Sequence, residues 1–146
     1  MKLVSLKICP FVQRVAATLE AKKVEYDIEY ISLNNPPQWF INFAPTKQVP
    51  ILIANNGVAI FESDAIIEYL DDILEPLQIN ITAEQRALNR AWCYQATKHY
   101  LVQCSAMQSA TKETFIERSA KLVKAFNRIE SMLDSRPFFQ SEVMGN

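Results

Sequence analysis

Cys9 carries the sharpest chemical signal in the chain. It follows the short apolar run Leu3 to Leu6, which reads as a strand, and it precedes Pro10, a residue tolerated in the first turn of a helix. A thiol at such a strand-to-helix junction faces free N–H groups and the positive end of a helix dipole, which favour the thiolate. Lys7 and Arg14 lie close enough in sequence to add positive potential, in directions the sequence leaves open. Position 12 is Val, so Cys9 has no resolving thiol three residues on, and a redox cycle at Cys9 needs an external thiol. The other cysteines, Cys93 and Cys104, fall in the middle of a helical pattern together with His99. Separations of six and five residues do not put those three on one helix face, and no metal site is expected.

The elements that must position Cys9 can be read from periodicity and breakers. Phe11, Val15 and Leu19 recur every four residues, so Pro10 to about Lys22 is an amphipathic helix. Tyr26, Ile28 and Tyr30 alternate with acidic residues, the period of a half-buried strand. Asn34-Asn35-Pro36-Pro37 breaks the chain before a short helix with Trp39, Phe40 and Phe43. Ile51 to Ile53 and Val58 to Phe61 are strands around the hairpin signal Asn56-Gly57. Ser63 reads as the N-cap of a helix whose apolar face is Ile66, Ile67, Leu70, Ile73 and Leu74. The order β-α-β-α-β-β-α defines an α/β fold class, a thioredoxin-like domain over residues 1–75. Thr82 and Gln85 then form a capping box. Two long helical patterns follow, one through Leu88, Trp92, Ala96 and Tyr100, the other through Phe115, Leu122, Phe126, Ile129 and Leu133. Residues 82–146 thus read as an all-α C-terminal domain. Two helices make a thin layer with apolar faces left over, so that domain is expected to be incomplete.

Two further features belong beside Cys9. Val49-Pro50 puts a proline just before a strand, where thioredoxin-like domains keep a cis proline facing the reactive cysteine. Glu62-Ser63 puts a carboxylate and a hydroxyl at a helix start. N–H groups and a hydroxyl there suit a carboxylate ligand, and Glu62 suits an ammonium group. A carboxylate and an ammonium on one carbon are what the γ-glutamyl end of glutathione offers. Glutathione would also be the external thiol that Cys9 lacks.

Together, Cys9-Pro10-Phe11 with Gln13-Arg14, Val49-Pro50, and Phe61-Glu62-Ser63-Asp64 resemble the glutathione transferases, most closely the omega class. Leu33, Trp39-Phe40 and Glu68-Tyr69-Leu70-Asp71 look like that class too. The resemblance is dense from Leu3 to about Asp72 and rests on pattern alone beyond. It implies that Cys9 is catalytic and forms a mixed disulfide with glutathione. It also implies that the Phe11 backbone faces the glutathione sulfur and that Val49, held by Pro50, pairs with the peptide backbone. Leu33 would contact the glycine side, and Glu62 and Ser63 would grip the γ-glutamyl end. The resemblance departs at Pro36, where the omega pattern has a lysine, and at Lys47, where a glycine is common.

Composition bounds what else the chain could do. The 146 residues are 49% hydrophobic and 21% charged, with net charge −1. A core is feasible at this length without disulfides or metals. The charge balance argues against nucleic acid or an anionic membrane as partner. Lys7 and Pro10 interrupt the apolar start before a secretory signal can develop, and no apolar run has membrane-spanning length. Three irregularly spaced cysteines fit a reducing cytoplasm. The expected function is a glutathione-dependent thiol transferase or reductase. Its glutathione is a co-substrate, its second substrate a small electrophile or disulfide, and its assembly a homodimer, as the family implies. The alternative is a non-catalytic binding or regulatory protein on the same fold, like the stringent starvation proteins or the chloride intracellular channel proteins. The pair Glu62-Ser63 tilts against it, since a module that binds no glutathione has no need of them.

Overall fold

The computed structural model describes residues 1–145, and they divide into two compact units, Met1–Leu77 and a second from Gln78 onward. The first unit has four strands, β1 (Lys2–Ser5), β2 (Asp27–Tyr30), β3 (Ile51–Ile53) and β4 (Ala59–Phe61). It also holds three helices, α1 (Pro10–Ala21), α2 (Gln38–Phe43) and α3 (Ser63–Ile73). The sheet order is β2-β1-β3-β4, with β1 parallel to β2 and every other neighbour antiparallel. This is the thioredoxin-like arrangement the element order implied.

Side-chain alternation along the short strands divides the core between the two faces of the sheet. Leu3 and Leu52 join Val12, Val15 and Leu19 of α1 and Ile66, Ile67 and Leu70 of α3 in one cluster. Val4 and Ile51 join Phe40 and Ala44, in and just after α2, in the other. The strand β2 departs from the expected half-buried alternation. Ile28 is 41% and Tyr30 54% exposed, because β2 is the sheet edge beyond β1 and no helix covers it fully. Where α1 ends, Lys22 reaches Asp71 at 2.6 Å and the Glu75 carbonyl at 2.7 Å, tying the ends of α1 and α3 together. The hairpin turn forms as its sequence predicts. Gly57 has φ +85°, and the Val58 N–H donates to the Asn56 side chain at 3.1 Å.

The second unit contains α4 (Ala83–Met107) and α5 (Lys112–Glu130). The Thr82–Gln85 capping box is present in both directions, at 3.2 and 2.9 Å. The Thr111 hydroxyl accepts from the Thr114 N–H to start α5. Arg118 of α5 donates to the Ser105 carbonyl of α4 at 2.8 Å. Gln78 bonds Asn89 and Ser141, and Trp92 meets Phe139 edge-on, which folds the segment after α5 back on α4. Of α5, no residue is buried. Among the described residues no helix is long and apolar enough to cross a membrane.

Candidate functional site

Sheet register brings the singled-out residues to one end of the first unit. Val4 of β1 pairs with Ile51, the first residue of β3, so the end of β1 and the start of β3 coincide. Ile51 in turn pairs with Phe61, the last residue of β4. Ser5 pairs with Tyr30, the last residue of β2. The segments leaving that end carry Cys9 after β1, Leu33 after β2, and Glu62 and Ser63 after β4, while Val49 and Pro50 enter it before β3. Residues spread over more than fifty positions are thereby gathered by three strand pairings.

Cys9 is the N-cap of α1, with extended backbone (φ −153°, ψ 116°) and Pro10 at the first helical position. Its carbonyl accepts the Gln13 N–H at 3.0 Å, and its side chain makes no capping bond, so the thiol is not consumed by the helix it starts. Cys9 is half-buried against the cluster of Leu3, Val12 and Leu52. Phe11 is the second residue of α1 and also half-buried. The Val49-Pro50 bond is cis, as the resemblance to thioredoxin-like domains led us to expect. Pro50 is buried, and Val49 packs against both core clusters. Leu33 stands 42% exposed.

One local expectation is corrected. Ser63 is not the N-cap of α3 but its first helical residue, and Glu62 occupies the cap position without a side-chain capping bond. Glu62 has φ +68° and ψ 121°, a combination that side-chain-bearing residues rarely adopt. Chain direction explains the change: β4 runs straight into α3, and the sharp turn between them falls on the single residue Glu62. Ser63 is only 6% exposed, and among the described residues its hydroxyl has no hydrogen-bond partner. Lys47, where a glycine would be at ease, also has a positive φ of 53°.

The sequence left the direction of Arg14 open, and the structure gives it. Its guanidinium pairs with Asp64 of α3, joining the helix that starts at Cys9 to the helix that starts after Glu62. No sequence signal marks that pair, since fifty residues separate its members. Cys93, His99 and Cys104 all lie on α4, away from these segments in the chain. Among the described residues no group of three or more His, Cys, Asp or Glu side chains is placed to hold a metal ion. A cleft of about 590 Å³ lies within the second unit, lined in part by Gln78, Leu88, Trp92, Cys93 and Phe139. It contains none of Cys9, Phe11, Leu33, Val49, Pro50, Glu62 and Ser63.

A thioredoxin-like sheet with a cysteine-started helix, followed by a helical unit, defines the fold class. Comparison with known proteins narrows it. Residues 8–73 match the family described as glutathione S-transferase, N-terminal domain. The chain is 41% identical over 64 residues to the probable cytosolic glutathione S-transferase DHAR1 of Oryza sativa subsp. japonica, a match covering 44% of this chain and 30% of that protein. It is 28% identical over 128 residues to the glutathione S-transferase omega-2 of Homo sapiens, covering 79% of this chain and 53% of that one. These matches span between about a third and a half of the relatives' own lengths. Among solved structures, a Tau class glutathione S-transferase from mango superposes with TM-score 0.85 at 25% identity, over 99% of this chain and 69% of that one. The glutathione transferase Omega 3C of Trametes versicolor gives TM-score 0.87 at 22% identity, covering 99% and 66%. Residues 8–73 are thus similar to the N-terminal domain of glutathione S-transferases, the relatives include omega-class members, and the fold is that of solved glutathione transferases.

Proposed function

We propose that the chain is a glutathione-dependent thiol transferase working through Cys9. The Cys9 thiolate attacks the glutathionyl sulfur of a mixed disulfide. A Cys9–glutathione disulfide forms, and the substrate's own sulfur leaves as a thiolate. A second glutathione thiolate then attacks the glutathionyl sulfur on Cys9, releasing glutathione disulfide and restoring Cys9. The net exchange consumes one mixed disulfide and one glutathione, and it yields one free thiol and one glutathione disulfide.

The observation that supports this most is convergence at one sheet end. A cysteine at one helix start and an unfilled hydroxyl at another follow strands that end there, and Val49 enters the same end just before β3. In this reading Glu62 takes the ammonium and Ser63 the carboxylate of the γ-glutamyl end. Val49 pairs with the peptide backbone, Leu33 contacts the glycine side and Phe11 lies by the sulfur. The second substrate is a small electrophile or disulfide. We place the protein in the cytoplasm as a homodimer, a reading supported by the exposed apolar residues of α5 and by a relative named as cytosolic.

Incubating the chain with glutathione disulfide at neutral pH, followed by intact mass and peptide mapping, tests the reading. One glutathionyl group is expected, on Cys9, and Cys9→Ser should abolish it while Cys93→Ser and Cys104→Ser leave it in place. Modification mainly on Cys93 or Cys104 would overturn the assignment.

A further inference from the structure

The grip proposed for Glu62 and Ser63 leaves Asp64 unexplained. Asp64 is the second residue of α3, one position beyond Ser63, so a negative side chain stands at the helix start that is to receive a carboxylate. A first-turn carboxylate ordinarily stabilises a helix because it answers the positive end of the dipole. The same property makes it a competitor for an anionic ligand, through repulsion and through the shared N–H donors. Asp64 is nevertheless engaged elsewhere. The Arg14 guanidinium, from α1, donates to its Oδ1, with the two side chains 26% and 37% exposed. The Ser63 hydroxyl beside it, on a residue 94% buried, is left without a partner among the described residues.

We propose that Arg14 is a positioning residue for the anion site at the start of α3. By neutralising the Asp64 carboxylate it leaves the free N–H groups and the Ser63 hydroxyl to the ligand. This inference rests on the γ-glutamyl reading of that site. It differs from a plain fastening role, in which the pair merely holds α1 against α3. Fastening requires both partners equally. Neutralisation requires Arg14 only while Asp64 is present.

The test is a double-mutant cycle on the full chain, with affinity for S-methylglutathione measured by calorimetry. That probe cannot form a disulfide, so binding is read apart from chemistry. Arg14→Gln should weaken binding about tenfold, as expected when a charge is left uncompensated beside an anion. Arg14→Lys should stay within roughly threefold of the parent, because it keeps the charge and loses only the fork. Asp64→Asn should bind as tightly as the parent or tighter, and Arg14→Gln with Asp64→Asn should recover most of the loss. Melting curves should barely separate the variants, since a partly exposed pair contributes little to stability. If Arg14→Gln does not fold, Asp64→Asn decides alone, since neutralisation and fastening predict opposite signs for it. A parent that binds while Asp64→Asn weakens as much as Arg14→Gln would overturn the inference and leave the glutathione reading standing. A parent with no affinity for the probe overturns both.

Discussion

The two units of this chain use apolar residues in opposite ways. Among the described residues, every buried apolar residue apart from Ala106 lies in Met1–Leu77, most of them shared between the two faces of one sheet. In α5 the apolar residues are just as regular in sequence, yet Phe115, Ile116, Val123 and Phe126 are each more than half exposed. Amphipathic periodicity therefore gave the helices in both units, but it said nothing about whether a surface exists to receive the stripe. In the first unit the receiving surface is a sheet whose register also fixes the site. Burial and the candidate site are coupled there, and Cys9 and its proposed partners all belong to that unit.

The largest expected effect tests that asymmetry in stability. Leu52→Ala removes a fully buried side chain from the face shared by α1 and α3, and should destabilise by about 2–5 kcal/mol. Phe126→Ala deletes a larger side chain that is 52% exposed and should change stability by no more than about 0.5 kcal/mol. Urea melts of both variants check this. A loss at Phe126 as large as that at Leu52 would mean that the α5 face is covered in solution, and light scattering would then show whether a second copy covers it.

Much of the fold was legible because its signals are local. The elements from β1 to α3, the Asn56-Gly57 turn, the Val49-Pro50 position and the Thr82 capping box all lie within a few residues of their cause. What escaped depended on distant partners. The partner of Arg14 lies across the fold, and the exposure of β2 follows from its place at the sheet edge. Ser63 was misjudged as a cap for a different reason. Its residue type suits that role, but the turn out of β4 falls one residue earlier, on Glu62. Of the candidate site, the residue identities were readable and their convergence was not, because convergence is set by strand register. Lys47 stood out in the sequence as a departure from the glycine of the resemblance, and its φ is +53°.

A second prediction separates ligand from fold at one residue. Glu62 has the backbone of a glycine and, in the reading above, the ligand contact of an acid. Glu62→Gly should lower glutathione affinity ten- to a hundredfold, the equivalent of about 1.5–3 kcal/mol for a charge-assisted hydrogen bond. Relief of strain should meanwhile leave the protein as stable or more stable by about 1 kcal/mol. Few substitutions are expected to move affinity and stability in opposite directions. Calorimetry and urea melts on one preparation read both. Affinity unchanged in the more stable variant would make Glu62 a turn residue and nothing more.

The smallest expected effect lies in the second unit, where a cap does what a core does in the first. Thr82 accepts the Gln85 N–H, and its own N–H is taken by the Gln85 side chain, so Thr82→Ala should cost about 1 kcal/mol. Glu84 in the same first turn reports on the cap directly. Its carboxyl is held below the usual carboxylate range, first by a hydrogen bond from its own backbone N–H and then by one involving the Thr82 side chain. A depressed carboxyl supports the folded state above its unfolded pKa, and that support is lost as pH falls through the lower folded value. Thr82→Ala removes the lesser of the two hydrogen bonds. The Glu84 carboxyl should then titrate at higher pH than in the parent while staying below an unperturbed glutamate, because the backbone N–H remains. An NMR titration of the Glu84 side chain resolves the two cases. If the titration is unmoved by Thr82→Ala, the hydroxyl serves Gln85 alone, and the first turn of α4 is fixed by its backbone rather than by its cap.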